Sequence, residues 1–166
     1  MASVELDVDY IKQETPTTCW NAGYKMMLRW TCMYESMADK LPNDKQMRER
    51  GILDGEFLTC RRKLGLQSAN YEDLGTPDGV AKILEEHGPI WVAGYWATDF
   101  TMKGKPDFKH IVIIRGVKTH VFSEDEVYVN DPYRGYSGAA AAPSWWGWSR
   151  FWNKLHKVPD NCQYWK

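Results

Sequence analysis

The longest run of helical periodicity in the chain begins at Cys19. Trp20, Tyr24, Met27, Thr31 and Tyr34 recur at spacings of four, three, four and three, and Met26, Trp30, Met33 and Met37 form an adjoining apolar face. Only Asn21, Lys25 and Arg29 make a polar stripe. The pattern predicts a helix from Cys19 to about Met37, apolar over so much of its circumference that it belongs inside a core. Pro16 marks a turn before it, and either Thr17 or Thr18 is placed to cap its first turn. Ahead of that turn, residues 4–12 (VELDVDYIK) alternate loosely and predict a short strand leading to Gln13.

Residues 44–63 are charged and predict a second helical stretch, with Leu53, Phe57 and Leu58 facing inward. In "TPDGVAKILEEHGP", Thr76 reads as an N-cap, Pro77 as the first helical position and Gly88-Pro89 as the stop. Three β-branched or aromatic runs follow, "IWVAGYW" (90–96), "HIVIIRGV" (110–117) and "EVYVN" (126–130), and each predicts a strand. Gly135–Ala142 is a loop of small residues, and "PSWWGWSRFWNKL" predicts a short aromatic helix beginning at Pro143. No repeat or linker divides the chain. Helices first and strands second predict one α+β domain over residues 1–166, a central N-terminal helix packed on a mainly antiparallel sheet.

Composition narrows the function. Lys+Arg 21 against Asp+Glu 22 gives a net charge of −1, which argues against nucleic acid or an anionic membrane as partner. No stretch approaches the roughly 20 apolar residues of a membrane span. The start, MASVELDVDYIKQ, is acidic and lacks the apolar region of a signal peptide. Cys19, Cys32, Cys60 and Cys162 are widely spaced, with no CxxC pair, so reduced thiols are expected and neither a zinc site nor another cofactor. Nine Trp and nine Tyr suggest a heavy core, a cleft lined for peptide-like or ring-bearing ligands, or both, with core packing accounting for most of them. Trp91, Trp96, Trp145, Trp146 and Trp148 are assigned to core and lid packing, a groove wall being the alternative.

One cysteine is placed for chemistry. A free thiol, with a pKa of about 8.5, is mostly protonated at neutral pH, and a helix N-terminus or a nearby imidazolium favours its ionised form. Cys19 opens the long helix. His110 opens the strand "HIVIIRGV", and Asp131 closes the next in "VYVNDPY", where Pro132 stops the ladder. About ten residues separate these strands, so as antiparallel neighbours they would bring His110 and Asp131 side by side, a base with its orienter. Gln13, six residues before Cys19, has a side-chain NH2 that could join the Cys19 backbone N–H as an oxyanion hole. His87, His120 and His156 have no strand-aligned acidic partner in the sequence and are read as structural.

Taken together, "Q-x5-CW" before a helix, then "H-hydrophobic-I-x-G" and "NDP", resembles the papain-like cysteine proteases. The resemblance is to the compact bacterial branch related to the C39 and C70 peptidases, and it covers about Gln13 to Gly135. It implies a papain-like α+β fold in which Gln13 is the oxyanion donor, Cys19 the nucleophile, His110 the base and Asp131 the orienter. Asn130 is the alternative third member, since larger papain relatives use asparagine, and Asn21 departs from the small residues common after the motif.

The resemblance implies a cysteine endopeptidase acting on a protein or peptide. It also implies a toxin or effector delivered by a secretion system into a target-cell cytoplasm, restrained by a cognate immunity or inhibitor protein. Acyl transfer, deamidation or amidase action on the same triad, and an idle peptide-binding module, are the other readings.

Overall fold

The computed structural model describes residues 2–96, 109–136 and 144–165. It begins with the short strand β1 (Ser3–Glu5), followed by α1 (Cys19–Trp30), a 3-10 helix (Glu35–Lys40), α2 (Asp44–Arg50) and α3 (Asp54–Leu64). Next come β2 (Gln67–Ser68), α4 (Tyr71–Leu74), α5 (Pro77–His87), β3 (Ile90–Tyr95), β4 (Lys109–Lys118) and β5 (Glu126–Asn130). The chain closes through α6 (Pro132–Tyr136), β6 (Ser144–Gly147), α7 (Trp148–Asn153) and β7 (Cys162–Tyr164). This is an α+β fold.

The strands form one sheet of seven in the order β2-β7-β3-β4-β5-β6, with β1 pairing the C-terminal end of β4. Neighbours run antiparallel throughout. Alternate residues of β3 and β4 serve two cores. Trp91, Ala93, Ile111 and Ile113 pack with α1, α2 and α3, whereas Ile90, Val92, Val112, Ile114 and Val117 pack with α5, β5 and the tail. Burial on both faces is why these strands read as unbroken apolar runs rather than alternating ones.

Helix α1 is shorter than its periodicity predicts. Thr31 caps it, and Cys32 adopts a left-handed φ of 58°. The Cys32 N–H bonds to the Arg29 carbonyl and the Met33 N–H to the Leu28 carbonyl, the paired closure of a Schellman motif. Tyr34 therefore lies beyond the helix and is 84% exposed instead of continuing its apolar face. The stretch 44–63 is likewise two helices, divided at Gly51, whose φ of 87° suits glycine. Leu53 falls at the N-cap of α3 and is half exposed, while Phe57 and Cys60 carry the buried face.

Two further expectations are corrected. Of the first predicted strand, 4–12, only Val4 and Glu5 join the sheet, as part of β1. The tail opens as strand β6, because Trp145 and Trp146 alternate with period two along the free edge of β5: Trp145 stacks on Tyr128 with centroids 4.4 Å apart, and Trp146 turns into the core. The predicted start at Pro143 and the loop over 137–142 lie outside the described residues. Helix α5 matches its pattern, with the Thr76 hydroxyl accepting from the Gly79 N–H at 3.1 Å, Pro77 at the first position and Gly88 as C-cap.

Helix α1 sits against β3 and β4 at close range. Trp91 stacks on Tyr24 at 5.0 Å, meets Phe57 edge-on at 5.3 Å and donates its indole N–H to the Trp20 carbonyl at 3.3 Å. Gly23 permits this approach, since a Cβ there would lie 3.0 Å from Trp91 and 3.3 Å from Ile111. Helix propensity favours alanine over glycine by about 1 kcal/mol, but Trp91 is held on three sides and cannot give way. Gly23→Ala is therefore expected to lower stability by about 1 kcal/mol, roughly 3 °C in Tm for a chain of this length. Thermal unfolding followed by circular dichroism checks this, and an increase in Tm would refute the packing argument.

Candidate active site

Four segments converge at the head of α1. Cys19 is the first residue of that helix, and Thr18 stands at its N-cap position. No side-chain hydrogen bond caps the helix and no acidic residue lies in its first turn. The positive end of the helix is thus left unneutralised at the sulfur. Both predicted caps are engaged elsewhere. The Thr17 hydroxyl donates to the Arg48 carbonyl, and the Thr18 hydroxyl serves the loop before it.

The sheet delivers the other half. His110 is the second residue of β4, and Asp131 directly follows β5. His110 Nε2 lies 2.6 Å from Asp131 Oδ1, with the two side chains 1% and 2% exposed. Burial acts to lower the His110 pKa. The Asp131 carboxylate, through charge and hydrogen bond, and then Cys19 more than offset that and push it up to about 10. Cys19 thus lies within interaction range of the ring. Asn130 points elsewhere, donating its Nδ2 to the Val8 carbonyl at 3.0 Å and lying 3.5 Å from the Met26 sulfur.

Asp131 is itself fixed. Its Oδ1 accepts from the Tyr133 N–H at 2.9 Å, and the Tyr10 hydroxyl lies 2.8 Å from the Asp131 carbonyl and 3.2 Å from that of Pro132. The Gln13 N–H donates to the Pro132 carbonyl at 3.1 Å, joining the loop of Gln13 to the turn of Asp131. Gln13 is 1% exposed, and its Nε2 donates to the Thr15 carbonyl at 2.7 Å. Tyr10, Tyr133 and Thr18 have no sequence mark of these roles. Only the nearness of Tyr10 to Gln13, and of Tyr133 to Asp131, hints at them.

A cavity of about 240 Å³ opens beside the sulfur, lined by Pro16, Thr17, Cys19, Ile52, Leu53 and Ile111 with Arg50 and Lys109. Lys109 is tied to Asp54 at 3.0 Å, and His156 holds the other oxygen of that carboxylate at 2.9 Å. His120 pairs with Glu126 at 3.0 Å and His87 stands 3.7 Å from Glu86, so each of the remaining histidines has an acidic neighbour away from Cys19. Trp91, Trp96 and Trp146 are core residues, and no tryptophan lines this cavity among the described residues. A larger cavity, about 560 Å³ between Ser68–Asn70 and Val158–Asn161, includes none of these site residues. No group of three or more potential ligands for a metal occurs among the described residues.

The other thiols differ from Cys19. Cys60 and Cys162 are fully buried; burial, with the charges of Glu56 and Asp44 behind it, pushes Cys60 up to about 12, and burial raises Cys162 well above the usual thiol value. Cys32 is exposed at the end of α1.

A thiol on a buried helix, faced by an imidazole–carboxylate pair on an antiparallel sheet, is an arrangement compatible with the papain-like class of thiol proteases. The family described as papain-like cysteine protease AvrRpt2, peptidase family C70, matches residues 2–145, and the chain belongs to it. It is therefore a papain-like cysteine protease, a hydrolase whose substrate is protein. The match extends beyond the Gln13–Gly135 span of the sequence motifs. No curated protein matches the chain.

The raised His110 pKa makes stability depend on pH. A histidine with its folded pKa above the unfolded value of about 6.5 contributes fully below that value. The contribution is lost as pH rises through about 10. In denaturant titrations the stability gap between the native chain and His110→Gln is expected to be widest near pH 6 and to shrink towards pH 10. A gap that stays constant over this window contradicts the paired, protonated state.

Proposed function

We propose that the chain is an endopeptidase working through Cys19, His110 and Asp131, with Gln13 and the Cys19 backbone N–H as its oxyanion hole. The observation that carries this reading is the buried His110–Asp131 pair, 2.6 Å apart and interacting with the thiol at an uncapped helix start. The Cys19 thiolate forms the S–C bond to the scissile carbonyl while the π electrons move to oxygen. That oxyanion is held by the Cys19 N–H and the second N–H of the Gln13 amide. Nε2 is engaged with Asp131, so Nδ1 of His110 carries the proton to the departing amine as the C–N bond breaks. Water then gives a proton back to His110, attacks the thioester, and releases the acid with the thiolate restored. Asp131 holds the ring and stabilises its protonated form throughout.

The cavity beside Cys19 is the proposed seat for a substrate side chain, with apolar walls from Pro16, Ile52 and Ile111. Residues 1–166 are taken to act as one catalytic domain, a view supported by the position of β7 inside the sheet. We further propose that the protein is delivered into a target cell as an effector or toxin and is restrained by an inhibitor protein. No helix among the described residues is long and apolar enough to cross a membrane.

Alkylation with iodoacetamide at pH 6 tests the nucleophile. Cys19 should react at least about tenfold faster than Cys32, Cys60 or Cys162, because a helix N-terminus and a neighbouring imidazole favour reaction at its sulfur. Equal rates would falsify the thiolate assignment. Cys19→Ala and His110→Ala should each abolish turnover with the fold intact, and activity surviving in either removes that residue from the mechanism. Mass spectrometry of treated target-cell proteins should reveal new termini; mass shifts without cleavage would assign acyl transfer or deamidation instead.

A further inference from the structure

The Thr18 hydroxyl occupies the cap position of α1 yet makes no cap. It accepts instead from the Glu14 N–H at 3.1 Å and the Thr15 N–H at 3.0 Å, and lies 3.2 Å from the Thr15 carbonyl, to which it donates. The Thr15 hydroxyl also approaches it at 3.3 Å, so its one proton and two lone pairs are all engaged within the loop and none is left for the helix. The side chain is 1% exposed, and water is thereby kept from substituting for it.

The Thr15 carbonyl gives this arrangement its meaning. It receives the Thr18 hydroxyl, the Thr18 N–H at 3.3 Å and the Gln13 Nε2 at 2.7 Å. A carbonyl only accepts, so the Gln13 amide must present its nitrogen to it, and Oε1 takes the opposite side. There Oε1 is buried with no hydrogen-bond partner. A buried acceptor left unpaired is costly, and a freely rotating amide would turn to relieve it. The loop that Thr18 pins therefore holds Gln13 in an orientation the amide would not choose by itself.

We infer that Thr18 is a positioning residue that fixes the Gln13 amide with its NH2 aimed for oxyanion binding. This rests on the oxyanion role proposed for Gln13. One N–H of the amide is taken by Thr15, which fixes its plane, and the second is left for the developing charge. The helix N-terminus stays uncapped by the same substitution of partners: the hydroxyl that would neutralise the first turn is spent on the loop, and the first-turn N–H groups face the reacting carbonyl.

The test compares Thr18→Val, which keeps the shape and removes the hydroxyl, with Thr18→Ser, which keeps the hydroxyl. Three readouts are taken on the full chain with a fluorogenic peptide that the native enzyme cleaves. They are kcat and KM, inhibition by an N-acyl peptide aldehyde whose thiol adduct carries a tetrahedral oxygen, and the alkylation rate of Cys19 by iodoacetamide. For Thr18→Val, kcat should fall about 10- to 100-fold with KM changed less than about threefold, and aldehyde binding should weaken in proportion. Alkylation, which forms no oxyanion, should be unchanged, and Thr18→Ser should recover most of the activity. In a Gln13→Ala background, Thr18→Val should cost little more.

An undiminished kcat overturns the inference, as does a loss of equal size with Gln13 absent or alkylation slowed in parallel. If Gln13→Ala alone leaves kcat and aldehyde binding intact, the oxyanion role of Gln13 fails, a different result from the failure of Thr18. Should Thr18→Val not fold by circular dichroism, Thr18→Ala is measured in the same scheme, and the same outcomes decide.

Discussion

A carboxylate and an imidazole ring, both out of water and 2.6 Å apart, constrain everything around them in this protein. Removing two charges from water is expensive, and their attraction offsets the cost only with good geometry and further hydrogen bonds. Asp131 meets that condition through the Tyr133 N–H, within a turn held by the Tyr10 hydroxyl. The same turn accepts the Gln13 N–H, so the compensation that keeps the pair buried also fixes the start of the loop leading to Cys19. Sheet and helix are thus registered to each other by backbone groups, independently of any bond between the thiol and the ring.

The segment before α1 is built with similar economy. Its threonines look interchangeable as caps, yet each is committed outward: Thr17 to the carbonyl of Arg48, Thr18 to the peptide groups of residues 14 and 15. Arg48 in turn reaches Asp44, Asp39 and Glu14, and Asn21 holds Asp39 and the Ala38 carbonyl. Burial of Asn21, a mild mismatch to its family at the sequence level, is satisfied by those two bonds. The polar stripe expected on α1 is thus partly an internal joint to the segment between α1 and α2.

Much of this was legible along the chain and some was not, for physical reasons. Thr76, Pro77 and Gly88 each act locally, so α5 is readable from its ends inward. The runs at 90–96, 110–117 and 126–130 are so rich in β-branched and aromatic residues that neighbouring context could not reverse them. Cys19, His110 and Asp131 drew notice because each stands at an element boundary, and Gln13, in the loop between β1 and α1, because of its distance from Cys19 along the chain. The end of α1 was hidden, since Cys32 has no intrinsic preference for a left-handed φ and tertiary packing imposes it. Strand β6 was misread because adjacent tryptophans satisfy either periodicity until a pairing edge is known. Strand β7 had no signal at all, three residues being too few to show a pattern.

That last strand has a consequence for how the molecule comes into being. Residues 162–164 lie between β2 and β3, and Gln163 is wholly buried, where it accepts from the Tyr24 hydroxyl and donates to the carbonyls of Phe57 and Asp160. These residues fall after the family-matched span of 2–145, yet they pair on both sides, with the short edge strand β2 and with β3. While the ribosome is still making them, β3 has a bare edge and the hydroxyl of Tyr24 has no mate. Long-range pairing of this kind is slow to form. The pairing on this side of the sheet, and the partner of the Tyr24 hydroxyl, therefore wait until residues 162–164 have been made.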